Sequence, residues 1–103
     1  MREVNTLREW LHLVSEGELE CKTASGAISY LGALYLKEWI EIARELYPAH
    51  QSRLWVECDT DIAGALATIR HELPNIVVSG DNPVGAKLKD MAEQSGITLD
   101  IVS

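Results

Sequence analysis

The segment LWVECDTDIAGALATIRHEL, residues 54–73, decides the fold because an apolar run in it passes directly into an amphipathic pattern. Leu54–Val56 is a short aromatic and β-branched run, which is typical of a strand. The pattern after it repeats at the helical period of about 3.6 residues, with one apolar face made by Ile62, Leu66, Ile69 and Leu73. Pro74 ends this helix. The segment therefore predicts a strand followed at once by a helix.

The same unit recurs downstream. Ile76–Val78 and Ile97–Val102 are two more apolar runs, and a second helical stripe from Val84 to Ser95 separates them. Pro83 suits the first position of that helix and Gly96 suits its end. Strands that alternate with helices at this spacing predict a parallel sheet, because parallel neighbours need a crossover connection. The alternation of apolar and polar residues in the last run predicts an edge strand.

The upstream half predicts one more strand and two helices. Glu18–Thr23 forms a fourth strand, and the longest helix runs from Ala27 to Leu46, where Pro48 stops it. A short amphipathic helix, Thr6–Val14, precedes both. No linker or low-complexity tract divides the chain, so residues 1–103 form a single domain.

The predicted fold class is α/β, with a small three-layer parallel sheet of about four strands preceded by an N-terminal helix. The strand order stays open. A doubly wound, flavodoxin-like order and a half-barrel that pairs with a second copy both fit the pattern.

The long helix carries an apolar arc wider than a one-sided surface helix needs. The stripe that a sheet would cover consists of Ile28, Leu31, Tyr35, Trp39, Ile42 and Leu46. A second stripe consists of Ala33, Leu36, Ile40 and Tyr47. Either the N-terminal helix or another subunit must cover the second stripe. If the N-terminal helix packs elsewhere, we expect an interface there, with a homodimer or a protein partner.

Composition excludes several classes of partner. Nine basic and sixteen acidic residues give a net charge of −7, which repels nucleic acid. No apolar run reaches the roughly 18 residues of a membrane span. The N-terminus lacks the apolar core of an export signal, which predicts a cytoplasmic protein.

Cys21 and Cys58 show no disulfide framework, so both should be free thiols, with Cys58 buried.

Polar residues cluster at the predicted carboxyl ends of the strands, where parallel sheets bind ligands. The candidate ligand-binding residues are Cys58, Asp59, Asp61, Ser79, Gly80, Asp81 and Asn82; Ser103 ends the last strand. Glu57 with three of these aspartates could hold Mg²⁺, and the loop before Val84, helped by Lys87, could hold a phosphate. Helix caps use the same residue types, however. No cofactor and no dedicated metal site is predicted.

Three stretches resemble a group of small bacterial α/β proteins without assigned function. They are Cys58-Asp59-x-x-x-Ala63-Gly64 continuing to Ile69-Arg70, Tyr30-Leu31-Gly32-Ala33, and Met91–Gly96. The resemblance covers residues from about 20 to 102. It implies a fold and brings no activity with it.

Two hypotheses for function follow. The first is a non-catalytic cytosolic α/β domain that acts by self-association or by binding a protein, since no acid/base or nucleophile constellation is present. The alternative is a small-molecule or phosphate binding protein, or a Mg-dependent enzyme, with its site at the carboxyl edge of the sheet.

Overall fold

The computed structural model describes residues 1–102, in which strands and helices alternate. The strands are β1 (Arg2–Val4), β2 (Glu20–Thr23), β3 (Arg53–Asp59), β4 (Asn75–Ser79) and β5 (Thr98–Val102). The helices are α1 (Leu7–Ser15), α2 (Ala27–Leu31), α3 (Ala33–Leu46), α4 (Ile62–Arg70) and α5 (Gly85–Gln94). Within these residues, each helix is too short or too polar to serve as a membrane span.

All neighbouring strands pair in parallel, in the order β1-β2-β3-β4-β5. The α/β class, the parallel sheet and the position of β5 at an edge are confirmed. The sequential order is that of a half-barrel and differs from a flavodoxin-like order. The sequence pattern misses β1, because a three-residue strand with one buried side chain, Val4, has no readable period.

The helices lie together on one face of the sheet. Crossovers between parallel strands are right-handed, so a sequential strand order places every helix on the same side. The buried residues of α1, α3, α4 and α5 accordingly form one core cluster with strand residues such as Cys21, Val56, Ile76 and Leu99. The described chain therefore has two layers, which corrects the predicted third layer. The strand residues that point away from the helices form what we call the open face.

A backbone break at Gly32 corrects the predicted continuous helix from Ala27 to Leu46. Gly32 has φ 83° and ψ 152°, a conformation outside the helical region that glycine adopts without a Cβ clash. The break resets the rotation of the following helix. As a result α3 buries Ala33, Leu36, Trp39 and Ala43, while Leu34 and Tyr35 turn outward.

Helix α1 covers the inner side of α3. The indole Nε1 of Trp10 donates a hydrogen bond of 3.0 Å to the carbonyl oxygen of Trp39. Ala33 and Leu36 lie in the core, and Leu36 is 0% exposed. The predicted interface stripe is therefore wrong for these two residues, which the domain itself covers. Ile40 is half-buried and Tyr47 is exposed.

Replacing Leu36 with Ala should lower the free energy of unfolding by about 2–5 kcal/mol, because it removes buried methyl groups and leaves a cavity. The matched control is Leu46→Ala on the same helix, where the side chain is 59% exposed and the change should stay within about 0.5 kcal/mol. Urea unfolding of both variants measures the difference. Equal effects would contradict this assignment of the buried face.

Candidate functional site

The carboxyl edge of the sheet brings several predicted site residues together. The β3–β4 register shifts between Glu57 and Asp59, and Asp59 has a positive φ of 48°, which aspartate tolerates better than most residues. This turn lets the Asp59 carboxylate accept a hydrogen bond from Ser25 Oγ. The Asp59 carbonyl accepts another from Asn82 Nδ2 at 3.2 Å. Two loops are thereby tied to one strand end.

The other predicted residues at this edge act as caps and turn formers. Asp61 is the N-cap of α4 and accepts from the Gly64 N–H at 2.8 Å. Asn82 Oδ1 accepts from the Val84 N–H at 3.1 Å, and Ser79 Oγ accepts from the Asp81 N–H at 3.1 Å. These hydrogen bonds satisfy backbone donors that would otherwise lack partners.

The structure does not assemble a metal site from Glu57, Asp59, Asp61 and Asp81. Within residues 1–102, no three side chains of histidine, cysteine, aspartate or glutamate lie close enough together to hold a metal ion. Ser103 lies outside the described residues. Gly80 lies in the turn between β4 and Asn82, where its N–H donates to the Val102 carbonyl, and Lys87 is exposed on α5.

Cys58 and Cys21 are free and buried, as predicted. The Cys58 Sγ lies 3.7 Å from Thr68 Oγ1. Burial raises the pKa of the Cys58 thiol to about 12, because desolvation disfavours the thiolate. The dipole of α4 does not overcome this effect, so Cys58 is a packing residue.

Native protein should therefore react slowly with a thiol reagent at both cysteines. With a pKa of about 12 for Cys58, its thiolate fraction, and with it the labelling rate, should stay far below that of a free thiol of pKa about 8.5 at every pH from neutral to mildly alkaline. Absorbance of the released chromophore follows the reaction, with urea-unfolded protein as the control. Labelling of native Cys58 at the unfolded rate would contradict the structural role.

The open face carries charged side chains that pair with each other. Trp55 Nε1 donates to Glu20 Oε2 at 2.6 Å, and the Arg53 guanidinium stacks over the Trp55 ring and pairs with Glu20. Glu57 is 7% exposed, and its Oε1 lies 3.8 Å from Lys22 Nζ. Desolvation raises the pKa of Glu57 above its ordinary value of 4.5, and this effect exceeds the opposing effect of Lys22.

Replacing Glu57 with Gln should stabilise the protein near neutral pH. A raised pKa in the folded state means that folding penalises the ionised form, and this penalty is absent below the unfolded pKa. The melting temperature of the variant should exceed that of the wild type near neutral pH, and the difference should vanish below about pH 4. Loss of the contact with the part-exposed Lys22 should change the free energy of unfolding little. A variant that melts at a lower temperature than the wild type near neutral pH would contradict the upward direction of the Glu57 pKa shift.

An exposed apolar surface lies where α2 meets α3. We call Tyr30, Leu31, Leu34 and Tyr35 the helix patch. Tyr30 is 70% exposed, Leu34 58% and Tyr35 47%. A groove of about 420 Å³ runs beside Leu31, Leu34 and Tyr35 toward α4. The sequence pattern assigns Leu31 and Tyr35 to the sheet-facing stripe. The break at Gly32 turns Tyr35 to the surface, whereas Leu31 precedes the break and stays partly buried against the core.

Comparisons with known proteins add no identity. No model of a known protein family matches the chain, and no curated protein does. The resemblance to small bacterial α/β proteins therefore stays a prediction.

Proposed function

We propose that the protein is a non-catalytic α/β domain that acts by self-association, and that a second copy covers the helix patch. The observation that supports this is the pair of large, exposed side chains Leu34 and Tyr35 beside one groove, with the exposed Tyr30 near the end of α2. Contiguous exposed apolar surface is typical of interaction sites, whereas scattered exposed residues are not. The prediction of self-association is kept, while its residues change from Ala33, Leu36, Ile40 and Tyr47 to the helix patch.

The alternative surface for a second copy is the open face, and its charge argues against it. Six charged side chains lie there: Glu3, Glu20, Lys22, Arg53, Glu57 and Asp100. Covering them with another sheet would remove charges from water, which costs several kcal/mol for each ion. Covering Leu34 and its apolar neighbours stabilises the contact instead, by about 1.5–3 kcal/mol for a leucine.

The groove beside the helix patch suits a copy of the same chain. Glu38 on α3 and His71, which follows α4, line it together with Ala33 and Ala67. In a two-fold contact the same surface serves both copies, so Glu38 of one copy can lie near His71 of the other. An acidic and a basic group at one border make this surface complementary to itself.

The carboxyl edge supports the alternative, a small-molecule or phosphate binder, less well. Asp61, Ser79 and Asn82 already accept hydrogen bonds from backbone groups, and the Cys58 thiol is protonated at neutral pH. Neither of the two largest cavities described is lined by these residues. We place the domain in the cytoplasm, where two free cysteines stay reduced.

Light scattering of the wild type and the variant Leu34→Asp tests the proposal. The wild type should be a dimer, and Leu34→Asp should be a folded monomer, because it would bury one charge from each copy. Leu34 is 58% exposed, so circular dichroism should show an unchanged fold. The matched control is Met91→Asp on α5, where the side chain is 42% exposed and the dimer should persist.

Two results would contradict the proposal. A wild type that stays monomeric at high concentration would exclude self-association. A dimer that persists in Leu34→Asp and dissociates in an open-face variant such as Asp100→Lys would move the interface to the sheet.

A further inference from the structure

The groove beside the helix patch contains one acidic and one titratable basic side chain, and they belong to different helices. Glu38 is exposed on α3, and His71 is half-buried directly after the end of α4. The other residues that line the groove are Leu31, Gly32, Ala33, Leu34, Tyr35 and Ala67. Among them only Tyr35 has a titratable group, and phenols ionise well above neutral pH. The charge of the groove near neutral pH therefore depends on Glu38 and His71.

Glu38 and His71 do not pair with each other within one copy. The ion pairs within residues 1–102 involve other side chains. Arg70 and Glu72 are next to His71 in the chain, but both are exposed and neither lines the groove. A charged imidazole at His71 is thus open to a carboxylate from a second copy.

The spacing of the groove residues matches between the two helices. Leu34 and Glu38 are four residues apart on α3, and Ala67 and His71 are four residues apart at the end of α4. Four residues rise about 6 Å along a helix, so each pair spans about one turn. Helices α3 and α4 also run in the same direction, because each connects two parallel strands of one sheet.

A two-fold axis parallel to these helices makes the two spacings coincide. When Leu34 of one copy packs on the small side chain of Ala67 in the other, Glu38 lies one turn further along, beside His71. The two-fold axis repeats the contact. Each dimer therefore has two pairs of Glu38 with His71, at the border of the apolar contact.

We propose that pH controls this dimer through His71, an inference that rests on the self-association proposed above. The second copy binds more tightly as the pH falls from about 8 to about 6, the range in which histidine ordinarily gains its charge. The charged imidazole attracts Glu38 of the other copy, and the neutral imidazole does not. Because association favours the protonated form, the dimer takes up protons, and its affinity rises as the pH falls. An exposed ion pair contributes a factor of about three, so two pairs contribute about tenfold.

Sedimentation equilibrium at about pH 6 and about pH 8 tests the inference. The salt concentration should be about 0.15 M, where charges more than about 8 Å apart are largely screened. The dissociation constant of the wild type should be about tenfold lower at the acidic pH. His71→Gln should have one dissociation constant at both pH values, because the glutamine amide does not titrate. Glu38→Gln should do the same, because it removes the other member of each pair.

The matched controls are His12→Gln and Glu45→Gln. His12 is exposed on α1, and Glu45 is exposed near the end of α3; neither lines the groove. Each control removes the same kind of group from the same net charge, so both should keep the pH dependence of the wild type. Circular dichroism at both pH values should show an unchanged fold in all four variants.

Three results would overturn the inference, and they separate it from self-association itself. A dimer with equal dissociation constants at both pH values would exclude control by pH and leave self-association in place. A pH dependence that persists in His71→Gln, or that His12→Gln also removes, would assign the effect to other groups. A wild type that stays monomeric at both pH values would overturn self-association and the control by pH with it.

Discussion

The parallel pairing of β3 with β2 and β4 is the constraint on which the other features depend. Parallel neighbours need crossovers, and right-handed crossovers in a sequential order place all helices on one face. Strand β3 therefore has two different faces. Leu54, Val56 and Cys58 pack under the helices, whereas Trp55 and Glu57 lie on the open face among paired charges. Parallel sheets are normally covered on both sides. On this face Trp55, Val77 and Glu57 are at most 7% exposed, and the Arg53 guanidinium over the Trp55 ring supplies part of the cover.

A single backbone break determines which part of the helical layer is free to interact. If the chain continued as one helix through Gly32, Tyr35 would stay in the sheet-facing stripe. The positive φ of Gly32 rotates the next helix, so that Leu36 and Trp39 fill the core. Leu34 and Tyr35 are left at the surface beside the groove. The helix patch is therefore a consequence of packing.

The two edges of the sheet differ in how their polar groups are used. At the carboxyl edge, Asp59, Asp61 and Asn82 satisfy backbone and hydroxyl groups of the protein itself. At the amino edge, Arg44 lines a cavity and forms no ion pair within residues 1–102. Ligand sites in parallel sheets are usually at the carboxyl edge. Here capping hydrogen bonds within the loops at that edge already use their polar groups. The longer connection before β3 leaves space at the other edge.

The sequence by itself determined the features that depend on local periodicity. The alternation of strands and helices, the parallel sheet, the edge strand β5 and the buried free cysteines follow from patterns within short segments, and the residues of the carboxyl edge were found because they follow strands directly. Only the tertiary structure decided the strand order, the short β1, the outward face of α3 and the cavity. Trp10, Arg44 and Asn75 line one cavity but are far apart in the chain. No local sequence pattern predicts that the three elements that carry them meet. Their meeting depends on packing, which is a non-local property of the chain.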